Sequence, residues 1–98
     1  MYARVSTYEG NAEDFDSGLD KVKADVVPKV RSLPGSKGLF LMVDRSTGQS
    51  LSIALYDSQE TLDNTRKQAE DARSQAAEDF GSKVTSVVEY EVGVAEFS

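Results

Sequence analysis

The chain has 98 residues, no cysteine, no histidine and no tryptophan, and its 17 acidic and 11 basic side chains leave a formal net charge of −6. The missing cysteine excludes disulfides, thiolate catalysis, iron–sulfur clusters and Cys-ligated zinc, and the missing histidine removes the commonest general base, haem ligand and transition-metal ligand. An acidic field repels phosphate backbones and the Lys and Arg residues form no dense run, so nucleic-acid binding is not expected and solubility is the plain reading of the charge.

The first residues, Met1-Tyr2-Ala3-Arg4-Val5, already read as strand, with no basic segment followed by an apolar run, so no secretory leader is predicted. No apolar segment approaches the ~20 residues that span a bilayer, and a cytoplasmic location with no membrane partner is the expectation. Residues 2–8 are rich in aromatic, β-branched and hydroxyl side chains and predict a strand, closed by a turn at Glu9-Gly10-Asn11. A helix follows over about 13–30, because Phe15, Leu19, Val22, Val26 and Val30 recur at helical spacing and form one apolar stripe. Pro28 has no N–H to donate and its ring crowds the preceding turn, so a kink or early stop is predicted near Val26.

Leu33-Pro34-Gly35 signals a loop. Residues 38–44 are apolar on both strand faces, as in a strand covered on two sides. Arg45-Ser46-Thr47-Gly48 predicts a tight hairpin into a strand over 51–56, where Leu51, Ile53 and Leu55 alternate with Ser52, Ala54 and Tyr56. Asp57 or Ser58 caps a second helix that is expected to run unbroken to about Asp79. Its inner face, Leu62, Ala69, Ala72, Ala76 and Phe80, consists mostly of small residues, and Gly81 ends it. A long last strand is predicted over 83–94, overhanging the sheet.

The order β-α-β-β-α-β over a single domain, residues 1–98, predicts an α+β, ferredoxin-like fold: a four-stranded antiparallel sheet of order 4-1-3-2 with two helices on one face. One sheet face is then left uncovered. The strand over 38–44 carries Leu39, Leu41 and Val43 on one side and Phe40 and Met42 on the other, so whichever set lies outside is an apolar patch that monomers seldom tolerate. A chain this short also has a limited core. Pairing two such faces about a two-fold axis buries both, which predicts a homodimer.

Five segments taken together resemble the dimeric α+β barrels of the antibiotic-biosynthesis-monooxygenase type. They are Tyr2-Ala3-Arg4-Val5-Ser6-Thr7-Tyr8-Glu9-Gly10 opening the chain and Val27-Pro28-Lys29-Val30-Arg31-Ser32-Leu33-Pro34-Gly35 closing the first helix. Leu41-Met42-Val43-Asp44-Arg45-Ser46-Thr47-Gly48, Leu55-Tyr56-Asp57-Ser58-Gln59-Glu60 and Val88-Glu89-Tyr90-Glu91-Val92 complete the set. The resemblance spans the chain and points to a small bacterial member with no assigned activity. It implies a pocket between sheet and helices and two chemistries, cofactor-free oxidation of polycyclic phenols to quinones and oxidative opening of haem.

The haem-degrading branch relies on an Asn in the first strand, a Trp ending the third strand and a His on the second helix. Here those positions fall on Ala3 and Tyr56, and histidine is absent, so every polar anchor for haem is lost. The phenol-oxidising enzymes use Asn and Trp with Tyr and Arg, for which this chain offers Tyr56, Tyr8, Arg4 and Arg66. Ser36 follows Gly35 where the usual loop has an aromatic residue. The resemblance also places Tyr56, Ala54 and Ser52 under the helices and Leu51, Ile53 and Leu55 with Phe40 between subunits, whereas simple alternation would allow the leucine set inside.

Each candidate carries a plainer alternative. Tyr56 either stacks on an aromatic ligand and donates through its hydroxyl, or packs half-buried with that hydroxyl in water. Arg66 either holds a phenolate or carboxylate, or pairs on the helix surface with Asp63 or Glu70. Arg4 is expected to meet Glu89 or Glu91 across the strands, a pairing that contributes only ~0.2–1 kcal/mol. Glu89 and Glu91, and Glu13, Asp14 and Asp16, favour structural roles over acid–base or cation chemistry. No metal and no cofactor is expected. Two functions follow: a cofactor-independent, monooxygenase-like domain that binds a small apolar or phenolic ligand beside Tyr56, Arg66, Tyr8 and Ala3, or a non-enzymatic ligand-binding or interaction module.

Overall fold

A computed structural model describes residues 1–98. Its elements are β1 (Tyr2–Glu9), α1 (Phe15–Asp25), α2 (Val27–Arg31), β2 (Ser36–Val43), β3 (Gln49–Tyr56), α3 (Gln59–Asn64), α4 (Arg66–Phe80) and β4 (Lys83–Glu91). All strand pairs are antiparallel and the sheet order is β2-β3-β1-β4, the predicted 4-1-3-2 read from the opposite edge. The first helical segment breaks at Val26, with Pro28 in the first turn of α2, where a missing N–H costs nothing.

The second helical segment is not continuous: it breaks at Thr65, between α3 and α4. The Leu62 carbonyl, which a straight helix would use for its own ladder, accepts instead from Arg4 Nη2 at 2.6 Å and from Thr65 Oγ1 at 3.3 Å. A strand residue 58 positions earlier thus occupies a carbonyl at the break, where Thr65 Oγ1 also donates to the Thr61 carbonyl at 2.7 Å. The last strand is also shorter than predicted. Glu91 faces Tyr2, the start of β1, and only the Val92 N–H to Met1 carbonyl bond lies beyond, so the ladder ends because its partner does.

Phe15, Val22, Val26 and Val30 pack against Ala72, Ala76 and Phe80 in the main core. Phe15 and Phe80 meet edge to face with centroids 5.8 Å apart. The approach of α1 to α4 needs Gly18, since a Cβ there would lie 2.7 Å from Phe80 Cδ1. Leu39, Leu41, Val43 and Ala54 close the core from the sheet side.

The other sheet face has no helix over it. Val5 faces Ile53 and Val88, Ile53 faces Phe40, Leu51 faces Met42, and Ala3 faces Leu55 and Tyr90. Phe40, Met42, Val88 and Tyr90 are each more than 40 % exposed there, which makes a continuous apolar surface across the sheet. A bulge between Thr7 and Tyr8 puts Val84 opposite Tyr8, so β4 changes the face it offers near that end.

Candidate functional site

The space between sheet and helices holds a half-open cavity of about 50 Å³. Tyr8, Ser52, Ala54 and Tyr56 form its floor; Val22, Val26 and Val30 form one wall, and Ala69, Ala72 and Ala76 form the other. The alanine stripe of α4 leaves this room, because methyl groups extend little from the helix towards the sheet. Ser52, Ala54 and Tyr56 lie under the helices, as the resemblance implied, and Leu51, Ile53 and Leu55 lie on the open face.

Tyr56 is 1 % exposed, so the half-wet tyrosine considered from sequence is replaced by a buried one. Its hydroxyl accepts from Arg4 Nη1 at 3.3 Å, and the guanidinium carbon of Arg4 lies 5.2 Å from its ring centroid. Arg4 is itself only 3 % exposed and is held on every side. Nε donates to Glu89 Oε2 at 3.1 Å, Nη2 lies 3.0 Å from that same oxygen, and Nη2 also reaches the Leu62 carbonyl. A buried guanidinium persists only when its charge and donors are matched this fully. Tyr8, also buried, shares a 3.2 Å hydrogen bond with Ser52 Oγ.

Two of the four sequence-predicted ligand residues do not line the cavity. Ala3 is buried, but strand alternation turns it away from Arg4 and onto the open face, between Leu55 and Tyr90. Arg66 lies outside, 58 % exposed, with Nη2 at 2.9 Å from Asp63 and 2.6 Å from Glu89. Glu89 therefore joins two arginines, one buried and one at the surface. Hydrogen bonds from Arg66 and then from Arg4 hold its carboxyl below the usual glutamate range, against the desolvation that raises it.

Sequence reasoning missed Arg73 and Ser6 as cavity residues. Arg73 falls four residues after Ala69 and three before Ala76, inside the inner stripe, so its spacing carried the signal that its charge obscured. No cluster of three or more acidic side chains that could hold a metal ion occurs, and no helix is long and apolar enough to cross a membrane.

No family model matches the chain. The uncharacterised protein Rv2557 of Mycobacterium tuberculosis is 30 % identical over 92 residues, covering 94 % of this chain and 41 % of that protein. This chain thus spans about two-fifths of the length of that relative. Among solved structures, the monooxygenase from the ActVA-Orf6 gene of Streptomyces coelicolor, in complex with Nanaomycin D, is similar with a TM-score of 0.68 at 12 % identity, over 99 % of this chain and 91 % of that one. SnoaB, a cofactor-independent oxygenase from Streptomyces nogalater, is similar with a TM-score of 0.63 at 14 % identity, over 96 % of this chain and 94 % of that one. An antibiotic biosynthesis monooxygenase is similar with a TM-score of 0.63 at 19 % identity, over 94 % of this chain and 98 % of that one. The chain is a ferredoxin-like α+β protein. Its fold is that of the antibiotic biosynthesis monooxygenases.

Proposed function

We propose that this chain binds a small, flat, apolar molecule bearing a phenolic oxygen in the space between sheet and helices, and oxidises it without a cofactor. The observation that carries the reading is the Tyr56 hydroxyl, buried beside an apolar cavity and backed by the Arg4 guanidinium. A phenol seated there meets aliphatic walls on both faces and a hydroxyl whose far side already accepts from a cation, which stabilises charge developing on the ligand oxygen. The overall reaction is balanced by dioxygen alone: a phenol and O₂ give a quinone and water, two C–H or O–H hydrogens leaving as the water. In this reading Tyr56 orients the ligand oxygen, Arg4 supplies the positive field, and Tyr8 and Ser52 border the floor.

The functional unit in this proposal is a cytoplasmic homodimer joined through the open sheet face, with Phe40, Leu51, Ile53 and Leu55 at its centre and Val88 and Tyr90 beside them. The apolar surface described above supports that assembly, because pairing removes it from water.

One observation favours the second reading, a module whose dimer is the functional unit. A cavity of about 50 Å³ has room for only a few waters, so a bicyclic phenol enters only if α1 and α4 move apart. Titration with 1-naphthol, followed by tyrosine fluorescence and by oxygen uptake, separates the two. Saturable quenching with oxygen consumption that Tyr56→Phe abolishes supports the oxygenase. Saturable quenching without oxygen uptake supports a binding module, and no saturable quenching up to millimolar ligand overturns ligand binding.

A further inference from the structure

A second cleft opens between α4 and β4, with a volume of about 320 Å³ and a lining of Arg4, Arg66, Glu70, Arg73, Val87 and Glu89. Arg4 and Arg73 line both this cleft and the inner cavity, so the two spaces meet at these side chains. Three of the five arginines of an acidic chain converge here. Their states differ. Arg4 is saturated by Glu89, Tyr56 and Leu62, and Arg66 is committed to Glu89 and Asp63. Arg73 has no carboxylate within ion-pairing distance, although Glu70 lines the same cleft. Its single hydrogen bond runs from Nε to Ser6 Oγ at 3.0 Å.

That bond fixes the plane of the guanidinium and leaves the paired Nη donors free. Ser6 is 3 % exposed, so the anchor is buried, and the small side chains of Ala69, Ala72 and Ala76 line the same cavity as Arg73. A planar fork of two parallel N–H donors at the mouth of an apolar slot fits one chemistry best, a carboxylate attached to a flat ring. Phosphate would also suit a guanidinium, but its bulk and charge would bring it against Glu70 and Glu89.

We infer that Arg73 is a specificity-determining residue that selects an aromatic carboxylate, with the ring in the cavity and the carboxylate on the Nη pair at its mouth. The inference rests on the ligand-binding reading and narrows its substrate class. Ser6 acts as a positioning residue through Arg73.

The test is calorimetric titration of the full chain with 2-naphthoate, the isosteric neutral 2-naphthamide and 2-naphthol, repeated on Arg73→Gln, Arg73→Lys and Ser6→Ala. The expected result is at least tenfold preference for naphthoate over naphthamide, collapsing to near unity in Arg73→Gln. Arg73→Lys retains part of the preference, having charge without the fork, and Ser6→Ala weakens it. Equal binding of naphthoate and naphthamide, or an Arg73→Gln variant that keeps the preference, overturns the carboxylate assignment and leaves ligand binding standing. If none of the three aromatics binds, both readings fall. Unchanged urea midpoints in the variants exclude a folding defect as the cause of lost preference.

Discussion

Replacing Ala72 with valine fills the cavity from the helix side, and its effect follows from the volume. Ala72 is buried in the core and lines the space directly. An empty 50 Å³ carries a penalty of ~1.2 kcal/mol at roughly 24 cal/mol per Å³. Two added carbons contribute ~1.6 kcal/mol at about 0.8 each, and valine gives back ~0.6 kcal/mol of helix propensity relative to alanine. With that cost taken from both, the two routes give a net gain of about 0.6–1 kcal/mol, or a Tm rise of roughly 2–8 °C for a domain of this size. Urea unfolding followed by far-ultraviolet circular dichroism at fixed protein concentration reads it, with an unchanged m-value as the control. The same variant should lose naphthol quenching. A destabilisation of 1 kcal/mol or more would refute the reasoning, because it would mean that the alanine stripe is already packed against something and the added carbons collide.

Glu89→Gln removes the carboxylate shared by Arg4 and Arg66 and leaves a buried guanidinium without its counter-charge, at a cost of about 1–3 kcal/mol at pH 7. Because folding lowers the carboxyl's pKa, its contribution is complete above the ordinary glutamate value of about 4.3 and disappears as pH falls through the lowered folded value. Unfolding curves taken from pH 7 down to pH 3 should therefore converge for wild type and Glu89→Gln at the acid end; curves that coincide throughout would show that the pair contributes nothing, and a constant gap that its contribution is not that of the ionised carboxyl. Ile53→Asp puts a charge at the centre of the open face, between Val5 and Phe40. Sedimentation at micromolar concentration should give the wild type twice the protomer mass of 10.7 kDa and the variant that mass once. A wild type that runs as a folded protomer would remove the proposed dimer.

The amino-acid order by itself determined the elements and their arrangement, because those properties are periodic and local. The stripe from Phe15 to Val30, the alternation from Leu51 to Tyr56, Pro28 at the helix break and Ser58 at the helix cap each act within a few residues, and the sheet order follows from crossover handedness. The alanine stripe from Ala69 to Ala76 was legible as small, though whether it meant close packing or empty space was not.

The strand order and helix spacing already suggested Arg4 with Glu89 and Arg66 with Asp63; tertiary structure decided how the charges are shared beyond that. Arg4 and Glu89 are 85 positions apart, Arg73 and Ser6 are 67 apart, and Arg4 bonds the carbonyl at a helix break 58 residues downstream. Which arginine is spent on a carboxylate and which stays free depends on distances in space. That assignment leaves Ala3 on the open face and Arg66 at the surface, keeps Tyr56, Tyr8 and Arg4 at the cavity, and adds Arg73. Side-chain period is written along the chain, whereas the pairing of long, flexible charged groups is set only when the sheet and helices close on one another.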